Sequence, residues 1–272
     1  MSAVFLDMLS QPFMQRAFAA GVILAALLAA LGIFVTLRKM AFFGDGIAHS
    51  SLAGIAIALL CGFAPLPTAL VWAVCIAVAI HRLERSTRLP SDTLIGIFFT
   101  ASMALGVVLM SFTHGYQPEL VTYLFGSILS VQQSDLTVIV AASAVIIGWL
   151  WTSFGELTYA SLAAESAAVA GVPVERLGLM LYVALAVATV LGVKVLGIVL
   201  VSALLVLPPA TSRMLTSTFR GYVGASIVIS VVTAVLGLTA SYLYDLPSGA
   251  AIILAGTAAF FLAAASRRIT AR

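Results

Sequence analysis

Apolar residues fill long stretches of the chain, and polar residues are confined to short gaps between them. The stretches cover residues 12–37, 47–63, 65–80, 93–112, 136–154, 177–192, 196–207, 222–244 and 247–265. They are too long for barrel strands and lack the alternation of apolar and polar residues that a lipid-facing barrel imposes. They read as nine helices, built around the roughly 20 apolar residues that one bilayer crossing takes. A shorter segment, 119–131, cannot cross and reads as a helix in the interface or a re-entrant piece. No repeat or low-complexity tract divides the chain. Residues 1–272 are therefore expected to form a single transmembrane domain, and the fold class is an all-α polytopic membrane protein.

Composition excludes the alternatives. With 62% apolar and 8% charged residues and a mean hydropathy of +1.19, the chain cannot cover a water-facing surface. The net charge of +3 does not point to nucleic acid, because the basic residues lie in twos and threes at the ends of apolar runs rather than in a stripe. They report orientation instead. If every run crosses once and Arg38 and Lys39 face the cytoplasm, so do Arg82, Arg85, Arg88, Arg176, Arg213, Arg220, Arg267, Arg268 and Arg272. Only Arg16 and Lys194 of the 13 basic residues then face outward, which places the N-terminus outside and the C-terminus inside. Lys194 is expected to snorkel to the outer interface, and His81, which opens the basic cluster HRLERSTR, to lie at the inner one. The N-terminal MSAVFLDMLSQPF has no basic region ahead of its apolar part and does not read as a cleavable signal peptide. Cys61 and Cys75 stand in apolar surroundings with no metal-binding spacing, and read as small core residues.

The stretch RKMAFFGDGIAHSSLAG, residues 38–54, is the most informative chemically. Asp45 and His49 are four residues apart, so a helix presents both on one face. A carboxylate and an imidazole at the opening of an apolar span are costly unless they are paired or bind something. Oxygen with imidazole nitrogen is the ligand chemistry of a borderline divalent metal such as zinc or manganese. The other reading is that Asp45 caps the helix while His49 hydrogen-bonds to a neighbouring helix. His114, with Glu119 nearby, falls in an outer loop. The longest polar stretch, LTYASLAAESAAVAGVPVERL at 157–177, faces the cytoplasm and reads as a short surface helix, a turn at Gly171 and Pro173, and the start of the next span. It suits either docking to a soluble partner or a solvated loop. No phosphate-binding loop exists, since neither lysine, Lys39 or Lys194, follows a glycine; H-E-x-x-H and G-x-S-x-G are also missing. An enzyme acting within the membrane has nothing to stand on, and ATP has no loop to bind.

Three stretches resemble the membrane permeases of bacterial ABC importers for zinc and manganese: MAFFGDGIAHSSLAG (40–54), TYLFGSILSVQQSDL (122–136) and VLVSALLVLPPATSRMLT (199–216). Their order and spacing match as well, over essentially the whole chain. The resemblance implies a fold similar to the vitamin B12 and siderophore importer permeases without their first helix. It also implies a homodimer in the bacterial inner membrane, two copies of a separate ATP-hydrolysing subunit, and a metal-binding protein docking outside. The subunit itself would be no enzyme and hold no tight cofactor, the metal ion being its cargo. Asp45 and His49 match the acid and histidine of the family's metal pathway, and Glu165, Ala168, Gly171 and Pro173 fall on the element that couples to the ATPase. Pro208 and Pro209 either break a span, freeing carbonyls that line or hinge the path, or simply end the helix. Around His49 the pattern is closer to zinc-type than to manganese-type members. It departs from the zinc type at Gly46, where those carry Thr or Ala, and this is expected to loosen the first helical turn. Zinc is thus the expected cargo, with manganese or iron, or a secondary metal transporter needing no ATPase, as the alternatives.

Overall fold

The computed structural model describes residues 11–87, 89–112 and 131–270. The segment at 119–131, apart from Val131, lies outside the described residues, as do Arg88, His114 and the first part of the second family motif. Among the described residues ten helices follow one another: α1 (Pro12–Leu37), α2 (Phe43–Cys61), α3 (Pro65–Thr87), α4 (Ser91–Ser111), α5 (Gln133–Leu162), α6 (Ala164–Val169), α7 (Val174–Leu196), α8 (Ile198–Leu215), α9 (Phe219–Tyr244) and α10 (Ser248–Thr270). Nine of those described, all but the six-residue α6, are long and apolar enough to cross a membrane, in agreement with the nine apolar runs.

Burial sorts these helices into a centre and a rim. In α1 and α2, 67% of the most apolar window is buried, and in α7 72%, against 22% in α4, α5 and α10. α1 runs between α5, α7, α8 and α9, while α2 packs against α3 and α4 and touches α7 and α8. Lipid is as apolar as leucine, so helices in a bilayer are held by close packing and cross-helix hydrogen bonds rather than by exclusion of water. Both are present. A side chain on Gly32 would drive its Cβ to 2.2 Å from the backbone oxygen of Leu205, so only glycine lets α1 and α8 come together there. Gly237 plays the same part between α9 and α10, where a Cβ would lie 2.4 Å from the Ile252 Cα. Ser230 of α9 donates to the Ala25 carbonyl of α1 at 2.8 Å.

Several sequence expectations change. Cys61 and Cys75 are exposed on the outside of the bundle, not packed in its core. Pro208 and Pro209 neither break nor end α8, which runs through them to Leu215. Because Pro209 has no N–H, the Leu205 carbonyl one turn earlier loses its helical partner, and this is the oxygen that lies against Gly32. Only Gly197 separates α7 from α8; its φ of 81° and ψ of 162° belong to a region open essentially to glycine alone. Lys194, in the last turn of α7, has a partner that the sequence did not suggest: it pairs with Asp135 at 2.5 Å. Asp135 sits in the first turn of α5, so the pair sets a cation at one helix C-terminus against an anion at another's N-terminus.

Candidate metal site

α2 begins at Phe43, four residues before the apolar run suggested, and has no side-chain cap. Asp45 therefore sits inside the first turn and does not cap, and His49 stands one turn further on the same face. Both are partly buried. Two neighbouring helices complete the surroundings. From α8, Ser202 donates its hydroxyl proton to Asp45 Oδ1 at 2.6 Å. From α4, the Phe99 ring meets the His49 imidazole edge to face at 5.0 Å. Ile95 of the same helix fills the space above Gly46, where a Cβ would fall 2.4 Å from its Cγ2. The glycine expected to loosen this turn instead makes room for α4.

Charge and hydrogen bonding at this site are incomplete within the protein. The two ion pairs among the described residues are Arg85–Glu175 and Lys194–Asp135, so Asp45 faces no protein cation. His49 Nδ1 is buried with no hydrogen-bond partner. A buried ring nitrogen left unpaired costs about 1–3 kcal/mol, and an unneutralised carboxylate in a membrane span is costly as well. A divalent cation bound between them would relieve both deficits. No group of three or more His, Cys, Asp or Glu among the described residues could hold a metal, so water would have to complete any such shell. Few protein ligands suit an ion that must leave again.

A second polar network lies at the end of the bundle that carries Arg38, and the sequence reading missed it. Burial pulls the Arg38 guanidinium down from its ordinary range, while Tyr182 and Glu84 oppose the shift. Its Nε donates to Ser161 of α5 at 3.1 Å. Tyr182 donates to Glu84 Oε2 at 2.5 Å, and Ser91 donates to the other oxygen. His81, expected at the interface, is only 7% exposed and packs on the Tyr182 ring with centroids 5.2 Å apart. Gly178 admits it, since a Cβ there would lie 2.8 Å from His81 Cε1. Tyr182 also meets Phe43 at 5.2 Å, which joins this network to the start of α2. Arg85 pairs with Glu175 at 2.5 Å, tying α3 to the first turn of α7.

The segment at 157–177 resolves as the end of α5, the six-residue α6 and a turn at Gly171, whose φ is 84°. Glu165, Ala168, Gly171 and Pro173 are all exposed. Val169 at the end of α6 is 91% exposed, an apolar side chain with nothing over it.

Among the described residues nine helices are long and apolar enough to cross a membrane, which makes this a multi-pass membrane protein. The chain belongs to the ABC 3 transport family, whose model matches residues 10–267. Its relatives include the manganese transport system membrane protein MntC of Halalkalibacterium halodurans, 32% identical over 95% of this chain and 89% of that one. The high-affinity zinc uptake system membrane protein ZnuB of Haemophilus influenzae is 31% identical over 89% of this chain and 93% of its own. Among solved structures, PsaBC from Streptococcus pneumoniae in complex with a Fab superposes with a TM-score of 0.84 at 29% identity, over 97% of this chain and 95% of that one.

Proposed function

We propose that this chain is the permease subunit of an ATP-driven importer that moves divalent metal ions, zinc foremost, into the bacterial cytoplasm. The observation that carries the reading is the buried, unpartnered His49 Nδ1 one turn from an Asp45 that makes no ion pair among the described residues. Asp45 and His49 are the transient ligands, and water completes the shell. The whole chain acts as one permease domain in the inner membrane. Its Arg38 end lies inside, as the distribution of basic residues favours, so the N-terminus is outside and the C-terminus cytoplasmic. A second copy forms the other half of the path. Two ATP-binding subunits dock on the exposed face of α6 with Glu165, Ala168, Gly171 and Pro173, and a metal-binding protein delivers the ion from outside. Pro208 and Pro209 soften α8 near the path, because the two missing N–H groups leave that turn easier to bend.

Zinc is preferred over manganese because the sequence around His49 is closer to zinc-type members, and relatives of both kinds are similar to this chain. Cells that express the permease with its ATPase and binding protein should accumulate radiolabelled zinc, with excess manganese competing weakly. Preferential uptake of manganese or iron would replace zinc as the cargo, and uptake that persists without the ATPase would establish a secondary transporter. The docking face makes a separate prediction. Val169→Asp should weaken co-purification of the ATPase subunit by about tenfold, on the order of 1.4 kcal/mol, while the permease still assembles. Undiminished co-purification would place the ATPase elsewhere.

A further inference from the structure

We infer that Ser202 is a positioning residue for the metal site: its hydroxyl holds the Asp45 carboxylate in the orientation that receives the ion. The inference rests on the reading of Asp45 as a ligand and adds to it a contribution from α8.

Hydroxyls within helices commonly bond back to the carbonyl one turn earlier, which competes with contacts to other helices. Most of those in this protein do so: Thr36 donates to Gly32, Ser161 to Leu157, Thr211 to Leu207 and Thr233 to Ile229. Ser202 does not. It gives its proton to Asp45 Oδ1 at 2.6 Å, across 157 residues of sequence and from a different helix.

The backbone is arranged to allow the contact. At Gly44, beside Asp45, a Cβ would lie 2.7 Å from Leu205 Cδ1 and 3.4 Å from Ser202 Oγ, so the glycine lets α8 pack here without a shift of the Leu205 side chain. Among the described residues Ser202 is the hydrogen-bond partner of this carboxylate. With Oδ1 engaged, the other oxygen can take the cation in a fixed, one-oxygen mode. Without the bond, the side chain would have to be ordered when the ion arrives, which costs side-chain rotational freedom. Partners that orient a metal ligand commonly contribute tenfold or more to metal affinity.

The position of Ser202 also links the site to the rest of the machine. It stands in the second turn of α8, shortly after the sharp turn at Gly197 that joins α8 to α7, and α7 begins at the proposed docking segment. A shift of α7 against α2 would therefore pull the serine from the carboxylate and loosen the site.

Concentration dependence of zinc and manganese uptake, normalised to assembled transporter, tests this. Ser202→Ala should raise KM by about tenfold with maximal rate nearly unchanged, and Ser202→Thr, which keeps the hydroxyl, should restore KM. A purely structural serine would change the amount or the maximal rate of transporter and leave KM alone. An alanine variant with parental KM, or a threonine variant as impaired as alanine, overturns the role of Ser202. Asp45→Asn in the same assay separates the two ideas: parental uptake there overturns the metal site itself, whereas lost uptake with an unchanged Ser202→Ala KM overturns the positioning role alone.

Discussion

Asp45→Asn and His49→Gln, each made alone, are expected to reduce metal uptake by at least about a hundredfold, since groups that merely orient a ligand already contribute ten- to a hundredfold. These replacements are chosen because they separate ligation from architecture. Asparagine keeps the shape of aspartate and still offers an oxygen to the Ser202 hydroxyl, so the contact between α2 and α8 survives while the negative charge is lost. If Asp45 served only to pin α8, its asparagine variant would transport like the parent. Glutamine at position 49 still fills space beside Phe99 but offers no imidazole nitrogen. If His49 served only as packing for that ring, little would change. Neither substitution buries a new charge, and Asp45→Asn removes one, so thermal stability of the purified permease should hold or rise. Uptake of radiolabelled metal beside a melting curve of the same preparation gives the answer. Parental transport in both variants would leave the unpaired Nδ1 as an unexplained cost to the fold.

Much of the fold was legible because bilayer crossing imposes a length and an apolar composition that few other structures share. What sequence did not reveal was which way residues face. Cys75 sits in an apolar run whether it meets lipid or another helix, and lipid does not sort the two as water does, so its exposure could not be read. The burial of His81 was hidden for the opposite reason. The charges of HRLERSTR suggested a surface, but helical spacing sets His81 on the same face as the buried Ala77, and His81 packs against Gly178 and Tyr182 of α7. Lys194 does stand at the end of a span, but its partner Asp135 is 59 residues away, and only the folded bundle brings them together. The start of α2 was hidden by Gly44, Asp45 and Gly46, whose low hydropathy conceals a helical turn that packing against α4 and α8 enforces.

The four-residue spacing of Asp45 and His49 could be read from the sequence, and the structure adds a buried His49 Nδ1 with no hydrogen-bond partner. Ser202 was not visible as part of the site, although it lies within a stretch that carries the family resemblance. A serine in an apolar helix ordinarily satisfies itself on its own backbone, so sequence gives no sign that this one reaches another helix.

The largest effect on assembly is expected at Gly32. An added Cβ would stand 2.2 Å from the Leu205 oxygen and 2.9 Å from its carbonyl carbon, and neither is the far end of a flexible side chain. α8 would have to move away from α1. Pro209 has already freed that oxygen from helical bonding, so the clash falls on the turn that lies against Gly32, three residues from Ser202. Overpacking typically costs about 1–3 kcal/mol where side chains can adjust, and a backbone obstruction belongs at or beyond the upper end. Gly32→Ala should therefore lower the melting temperature of the permease, and Gly32→Leu should prevent recovery of a monodisperse protein in detergent. Gly224 of α9 provides the control, because a Cβ there meets nothing within 4 Å. Alanine is the better helix former by about 0.5–1 kcal/mol, so Gly224→Ala should be neutral or stabilising. Equal tolerance of alanine at both positions would mean that α1 and α8 do not approach as closely as Gly32 permits, and the contact between Ser202 and Asp45, which depends on where α8 lies, would fall with it.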